Sequence, residues 1–182
     1  MPAADTTALL VIDVQESFRH RPGFDPGAVA DFLPAQNALI EAANEAGVPI
    51  VRVFHVADEG VFAPESGCVV PLTGLAEFRP ALEVRKRRHS ALAGTDLGAW
   101  LTERGIRRVV ISGMRTEQCC ETTARAASDA GFEVVFVTEA TLTFAMRHAG
   151  GRTYTPEEIR ERTELVLAGR FAAISSAAEA FR

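Results

Sequence analysis

Three residues able to run nucleophilic chemistry together each stand at the end of an apolar run in this chain. Asp13 ends Thr7-Ala-Leu-Leu-Val-Ile, and Lys86 follows Leu82 to Arg85. Cys119 lies in the turn Gly113-Met-Arg-Thr-Glu-Gln-Cys, which follows Arg108 to Ser112 and runs into a helical stretch. A thiol in the first turn of a helix feels the positive end of the helix dipole, and a nearby ammonium lowers its pKa further. The pattern therefore predicts an activated thiol. A carboxylate beside it can take its proton and later hand it to a leaving amine. Backbone N–H groups of the turn can hold the oxyanion of a tetrahedral intermediate. Taken singly, each residue has an ordinary alternative. An acid at a strand end serves as a turn or cap residue, and a lysine in Val84-Arg-Lys-Arg-Arg-His89 is one charge of a solvated face. A cysteine near a helix start is a small buried apolar group. Spacing alone leaves both readings open.

The elements that must position these residues read as alternating β and α units around a mostly parallel sheet. Strands are predicted over 7–13, 49–55, 82–85, 108–112, 133–137 and 171–174. Helices are predicted over 27–46, 95–104, 117–130 and from Pro156 to about Leu167, with glycine stops at Gly47, Gly105 and Gly131. The fold class expected is α/β: a three-layer, doubly wound fold with a mostly parallel sheet of about six strands and helices on both faces, in a single domain over 1–182. In such sheets ligands bind outside the carboxyl ends of the strands. That rule selects Asp13 and Gln15, His55, Lys86 and the Gly113–Cys119 turn. Residues 56–82, punctuated by Gly60, Pro64, Gly67, Pro71, Gly74 and Pro80, are expected to be an irregular excursion over one end of the sheet, and 143–155 a second one.

Composition narrows the function class. With 47% hydrophobic and 24% charged residues the 182-residue chain reads as an ordinary globular protein. Its net charge of −5, from 19 basic and 24 acidic residues, gives no reason to expect nucleic acid as a partner. No segment reaches the ~20 apolar residues of a membrane span. No basic region precedes the run Ala8–Val14, which Asp13 interrupts, so no secretory leader is expected. Three cysteines, Cys68, Cys119 and Cys120, cannot all pair within one chain. The expectation is a cytoplasmic protein with free thiols.

At these residues the chain resembles the isochorismatase-like cysteine hydrolase superfamily. Leu10-Val-Ile-Asp13-Val-Gln15-Glu-Ser-Phe18 is similar to the family's opening strand and its Asp-x-Gln-x-x-Phe continuation. Lys86-Arg-Arg-His-Ser90-Ala91-Leu92 with Gly94-Thr95-Asp-Leu97 is similar to the family's lysine, Ser-Ala-Phe and Thr-x-Leu, with Leu92 in place of Phe. Gly113-Met-Arg-Thr116-Glu-Gln-Cys119-Cys120-Glu-Thr-Thr123-Ala124 resembles Gly-x-x-Thr-x-x-Cys-Val-x-x-Thr-Ala, with Cys120 in place of valine. Three motifs in register over roughly 7–140 are fairly specific. The resemblance implies Asp13 as general base and acid, Lys86 as the orienting cation, and Cys119 as nucleophile. It implies an oxyanion hole from the backbone N–H groups of Thr116 and Cys119, a non-proline cis peptide at Arg115–Thr116, and a homo-oligomer (dimer or tetramer).

The neighbouring thiols divide by direction. On a helix they point about 100° apart, so Cys119 is assigned to chemistry and Cys120 to packing. Relatives of the nicotinamidase type carry a metal on an Asp-x-His motif with a further histidine. Here the stretch reads His55-Val-Ala-Asp58-Glu59 and the next histidine is His89, so neither metal nor cofactor is expected. A thiol-dependent reaction on a small molecule follows, such as hydrolysis of an amide, carbamoyl or ureido group. Gln15 and Phe18 are candidate substrate contacts, and Arg115 could meet a substrate carboxylate or form a surface salt bridge. His89 and His148 match no family site position and are expected to be structural or exposed. Two alternatives stay open: a hydrolase of the same fold without covalent catalysis, and a non-catalytic ligand-binding or thiol-redox protein using Cys119 and Cys120.

Overall fold

Runs of β-branched and aliphatic residues, apolar on both faces, are what a central parallel strand requires. Thr7–Ile12 (β1) is buried at every position, and Arg108–Met114 (β4) at all but its first. The computed structural model describes residues 6–181, so most of the stretch preceding the first strand lies outside it. Ile50–His55 (β2), Leu82–Lys86 (β3), Glu133–Leu142 (β5) and Ala173–Ile174 (β8) complete a six-stranded sheet of order β3-β2-β1-β4-β5-β8. All its pairings are parallel.

Helices cover both faces, giving the three layers. Pro26–Glu45 (α1) starts where the Asp25 carboxylate accepts from the Gly27 amide, and lays Val29, Phe32, Leu39 and Ile40 on one face with Leu9, Val11, Val110 and Val135. On the other face Leu97–Glu103 (α2), Glu121–Asp129 (α3) and Pro156–Leu167 (α4) set Leu97, Leu101, Ala124, Ala127 and Leu167 against Leu10, Ile12, Val109, Ile111 and Phe136. The last helix has the bounds its sequence predicts. Thr155 and Glu158 form a reciprocal capping box, and Pro156 occupies the first turn. Leu167 and Ile159 are spent on the chain's own core, whereas Leu165 is exposed. Among the described residues no helix is long and apolar enough to cross a membrane.

Two predicted boundaries move furthest. The strand expected over 133–137 continues to Leu142, pairing Gly113 with Thr141 after a register shift in β4. The helix expected from Glu117 begins instead with a π-helical turn, Thr116–Cys120, before regular α3. Such turns are frequent at functional sites. The excursion over 56–82 holds two 3-10 turns, Gly60–Phe62 and Pro64–Ser66. The second irregular segment contains a short hairpin, Met146–Arg147 (β6) with Thr153–Tyr154 (β7).

Strand order reverses between β1 and β4. Chain progress runs from β1 outward through β2 to β3, then returns to the opposite side of β1. The carboxyl ends of β1 and β4 flank that switch point, where the fold places ligand sites, and that of β3 lies on the far side of β2.

Candidate active site

The strand ends are shaped unusually at the switch. Asp13 follows β1 with φ +53, the single positive φ outside glycine among the described residues. Its predecessor Ile12 pairs across the β1–β4 ladder with Gly113, at φ +116. A Cβ on Gly113 would lie 2.0 Å from the Ile12 carbonyl oxygen, so no side chain fits there. Asp13 is further fixed by its amide, which donates to the Val53 carbonyl. Residues held in such sparsely populated conformations cluster at functional sites.

Lys86, the last residue of β3, reaches across the end of β2 and donates from Nζ to Asp13 Oδ2 at 2.7 Å. Asp13 is 0% exposed and Lys86 1%. Burial pushes the Asp13 carboxyl above its ordinary range, with Lys86 opposing that rise. Its second oxygen, Oδ1, has no hydrogen-bond partner. A carboxylate oxygen of Asp13, a ring nitrogen of His55 and Cys119 Sγ all lie within 4.8 Å of one another. Asp13, Lys86 and Cys119, picked from separate motifs, thus converge. Cys119 is 5% exposed, and the three meet solvent mainly through it.

The thiol differs from the sequence expectation. Burial and the Asp13 carboxylate push the Cys119 pKa up to about 12, outweighing Lys86. The free enzyme therefore holds a neutral thiol beside the Asp13 carboxylate. Cys120 is fully buried, its Sγ 3.8 Å from the Ser112 carbonyl oxygen, in the packing position assigned to it.

Two histidines join this centre. His55 Nδ1 lies 3.3 Å from Lys86 Nζ. Burial, then Lys86 and His89, lower the His55 pKa to about 4, so the ring is neutral and accepts from the ammonium. His89 is exposed, but its Nδ1 is 3.7 Å from Cys119 Sγ. The one signal for it was its place three residues after Lys86, in the loop that returns past the nucleophile. His148, by contrast, is exposed in the β6–β7 turn, where its Nδ1 accepts from the Gly150 amide.

The motif residues around the triad act as braces. Thr123 Oγ1 accepts from the Ala91 amide, and Thr95 Oγ1 donates to the Ala91 carbonyl, tying the loop after Lys86 to α3 and α2. Thr116 donates to Thr141 Oγ1, which donates to the Thr138 carbonyl. Glu121 accepts from Arg125, Thr163 and Arg162, fastening α3 to α4.

The structure corrects one expectation beside the thiol, the position of the cis peptide, and shows what Gln15 and Arg115 contact. Gln15 is fully buried with both ends of its amide in use: Oε1 accepts from the His55 amide, and Nε2 donates to the His55 carbonyl and Ser17 Oγ. It joins the ends of β1 and β2. Arg115 is ion-paired with Glu117 at 3.0 Å and lies over the Phe144 ring, so its charge is already compensated. The cis peptide is Met114–Arg115, one bond earlier than expected. Phe18 is half-buried, edge-to-face with Phe62 at 5.2 Å, and Phe62 in turn meets the His55 ring at 5.6 Å. Phe62 comes from the irregular 56–82 segment, whose sequence carried no period to mark it. Beyond His55 runs a groove of about 650 Å³ lined by Arg85, Arg87, Arg88 and Asp58, with Arg87 paired to Asp58.

Known proteins resemble this chain in sequence and fold. The chain is 31% identical over 186 residues to Nicotinamidase 3 of Arabidopsis thaliana, covering 94% of this chain and 85% of that protein. It superposes on a cysteine hydrolase from Pseudomonas syringae pv. phaseolicola 1448A with a TM-score of 0.88 at 23% identity, covering 98% and 92% of the two chains; this likeness is one of fold. A pyrazinamidase of Pyrococcus horikoshii, solved in complex with zinc, matches with a TM-score of 0.70 at 26% identity over 94% of this chain and 99% of that one. A zinc ion does not fit the residues found here. The Asp13–His55–Cys119 group is the sole clustering of metal-ligand type among the described residues, and the Lys86 ammonium already bonds Asp13 and His55. A model of the isochorismatase domain matches residues 7–174, most of the chain, and the protein belongs to the isochorismatase family.

Proposed function

We propose that the protein is a cysteine-dependent hydrolase of a small-molecule carbon–nitrogen bond, such as an amide, carbamoyl or ureido group. The carrying observation is the buried Lys86–Asp13 pair, a carboxylate oxygen of which lies within 4.8 Å of Cys119 Sγ. Relatives named for amide hydrolysis, the nicotinamidase and the pyrazinamidase, agree with that bond class.

In this reading a substrate carbonyl settles over Cys119, between the Phe18–Phe62–His55 wall and the Gly113–Cys119 turn. Sulfur attacks the carbonyl carbon as Asp13 takes the thiol proton, so no standing thiolate is needed. Backbone N–H groups of Thr116 and Cys119 receive the oxyanion. Asp13 then passes its proton to the departing nitrogen, leaving a thioester on Cys119, which water hydrolyses. Lys86 keeps Asp13 oriented and stabilises its charged form. The three free thiols suit a reducing, cytoplasmic compartment, and exposed Leu165 on α4 is available to a second copy in a homo-oligomer.

A panel of small primary amides, carbamates and ureido compounds, assayed for ammonia release, tests the reading. Wild type is expected to turn over at least one of them, and C119A and D13N none. Acid-quenched intact mass should find the acyl group on Cys119. The raised thiol pKa favours one second reading, attack by water without a covalent intermediate. Turnover that survives in C119A but not in D13N would establish that reading instead.

A further inference from the structure

The sulfur of Cys119 is flanked by two proton acceptors of opposite access. Asp13 is fully buried and bound to Lys86, whereas His89 is exposed and presents Nδ1 to the sulfur at 3.7 Å. The groups facing this imidazole are Cys119, whose Sγ it meets, with the Asp13 carboxylate, the Lys86 ammonium and neutral His55 behind it. Once a thioester has formed, Asp13 is screened from bulk water by the acylated sulfur. The hydrolytic water has to arrive from the solvent side, where His89 stands.

Resting on the thioester reading above, we propose that His89 is a further catalytic residue, the base and acid of the deacylation half-reaction. Its imidazole nitrogen takes a proton from the incoming water as the oxygen bonds the acyl carbon. The C–S bond then breaks, and the imidazolium returns the proton to the departing sulfur. Water and thioester become carboxylic acid and thiol, and His89 ends neutral. Asp13 serves the first half, where the leaving nitrogen lies inside the site; His89 serves the second.

The test separates the halves with p-nitrophenyl acetate as the acylating probe. First-turnover release of p-nitrophenolate reports acylation, and decay of the acetylated protein by intact mass reports deacylation. In H89Q acylation is expected within about 3-fold of wild type, while deacylation slows by about 100-fold, in the range for a lost general base. The pH dependence of the wild-type deacylation rate is expected to flatten in H89Q, which a merely structural role would not produce. Equal slowing of both halves, or unchanged deacylation, would overturn the assignment. Failure of wild type to acylate at Cys119 would instead remove the thioester reading, and this inference with it.

Discussion

Replacing Lys86 with methionine tests how the site is held. The ammonium is 2.7 Å from Asp13 Oδ2 and both side chains are 0% exposed, so the variant leaves a carboxylate in a dry pocket without its counter-charge. Breaking a buried pair from one side costs about 3–5 kcal/mol. At 2–4 °C per kcal/mol for a domain of this size, the melting temperature at pH 7 should fall by about 6–20 °C. The pH dependence is more telling. Burial already holds the Asp13 pKa above its ordinary 3.8, with Lys86 opposing; removing Lys86 sends it further up. A carboxyl raised in the folded state binds a proton that the unfolded chain does not. Stability contributed by that proton is complete below about pH 4 and is lost as pH climbs through the folded pKa. Relative to wild type, K86M should therefore recover on acidification from pH 7, by up to about 1.4 kcal/mol per pH unit. Thermal melts of both proteins from pH 4.5 to 8 decide it. A difference below about 2 °C at pH 7, or one that does not shrink toward acid, would refute the reasoning that Lys86 keeps a buried charge on Asp13.

Cys119 alkylation by iodoacetamide should keep rising with pH beyond 10 in wild type, because its pKa is pushed to about 12; a plateau below pH 9 would contradict this. D13N should alkylate faster than wild type near pH 9 while losing turnover, since the carboxylate is one cause of the raised thiol pKa. G113A should lose about 3 kcal/mol or more, or fail to accumulate in soluble form, because its Cβ meets the Ile12 carbonyl at 2.0 Å; a normal melt would show that β4 can shift. Q15L should lose about 2–4 kcal/mol by orphaning the His55 backbone groups, with residual activity reduced in kcat rather than raised in KM. A KM effect alone would restore Gln15 as a substrate contact.

The fold was largely legible because its signals are local and strong. β1 and β4 are apolar on both faces, as only central parallel strands are, and Thr155, Pro156 and Glu158 spell out where α4 begins. The meeting of Asp13, Lys86 and Cys119 was legible in part: Asp13 and Lys86 end apolar runs and Cys119 lies in the turn after one, but spacing alone left both readings open and the family resemblance weighted the choice. What escaped depends on distances through space. Nothing in Gln15 as a residue type tells that His55, forty positions away, uses up its amide from both sides. Glu117 and Arg115 are close in sequence, but their pairing follows from the π-helical turn that replaces a regular helix start. His89 looked exposed and is exposed; that its ring also reaches Cys119 is set by the loop path between β3 and α2, which Thr95 and Thr123 fix through Ala91.

The thiol expectation failed for a reason that bears on the chemistry. A helix start and a nearby ammonium do favour thiolate, but both act on a sulfur that is 5% exposed beside a carboxylate, and desolvation is the largest cause in the balance. The same burial raises the Asp13 carboxyl. A stronger base next to a neutral nucleophile suits concerted attack, in which the thiol proton moves as the C–S bond forms. A permanently ionised sulfur would also be open to oxidation between turnovers. In the proposed reaction, burial thus sets base strength and keeps the Cys119 thiol protonated until a carbonyl arrives. For the deacylation proposed for His89, an exposed imidazole at the rim is then useful, because a site dry enough to raise Asp13 is poorly placed to recruit the water that must finish the proposed reaction.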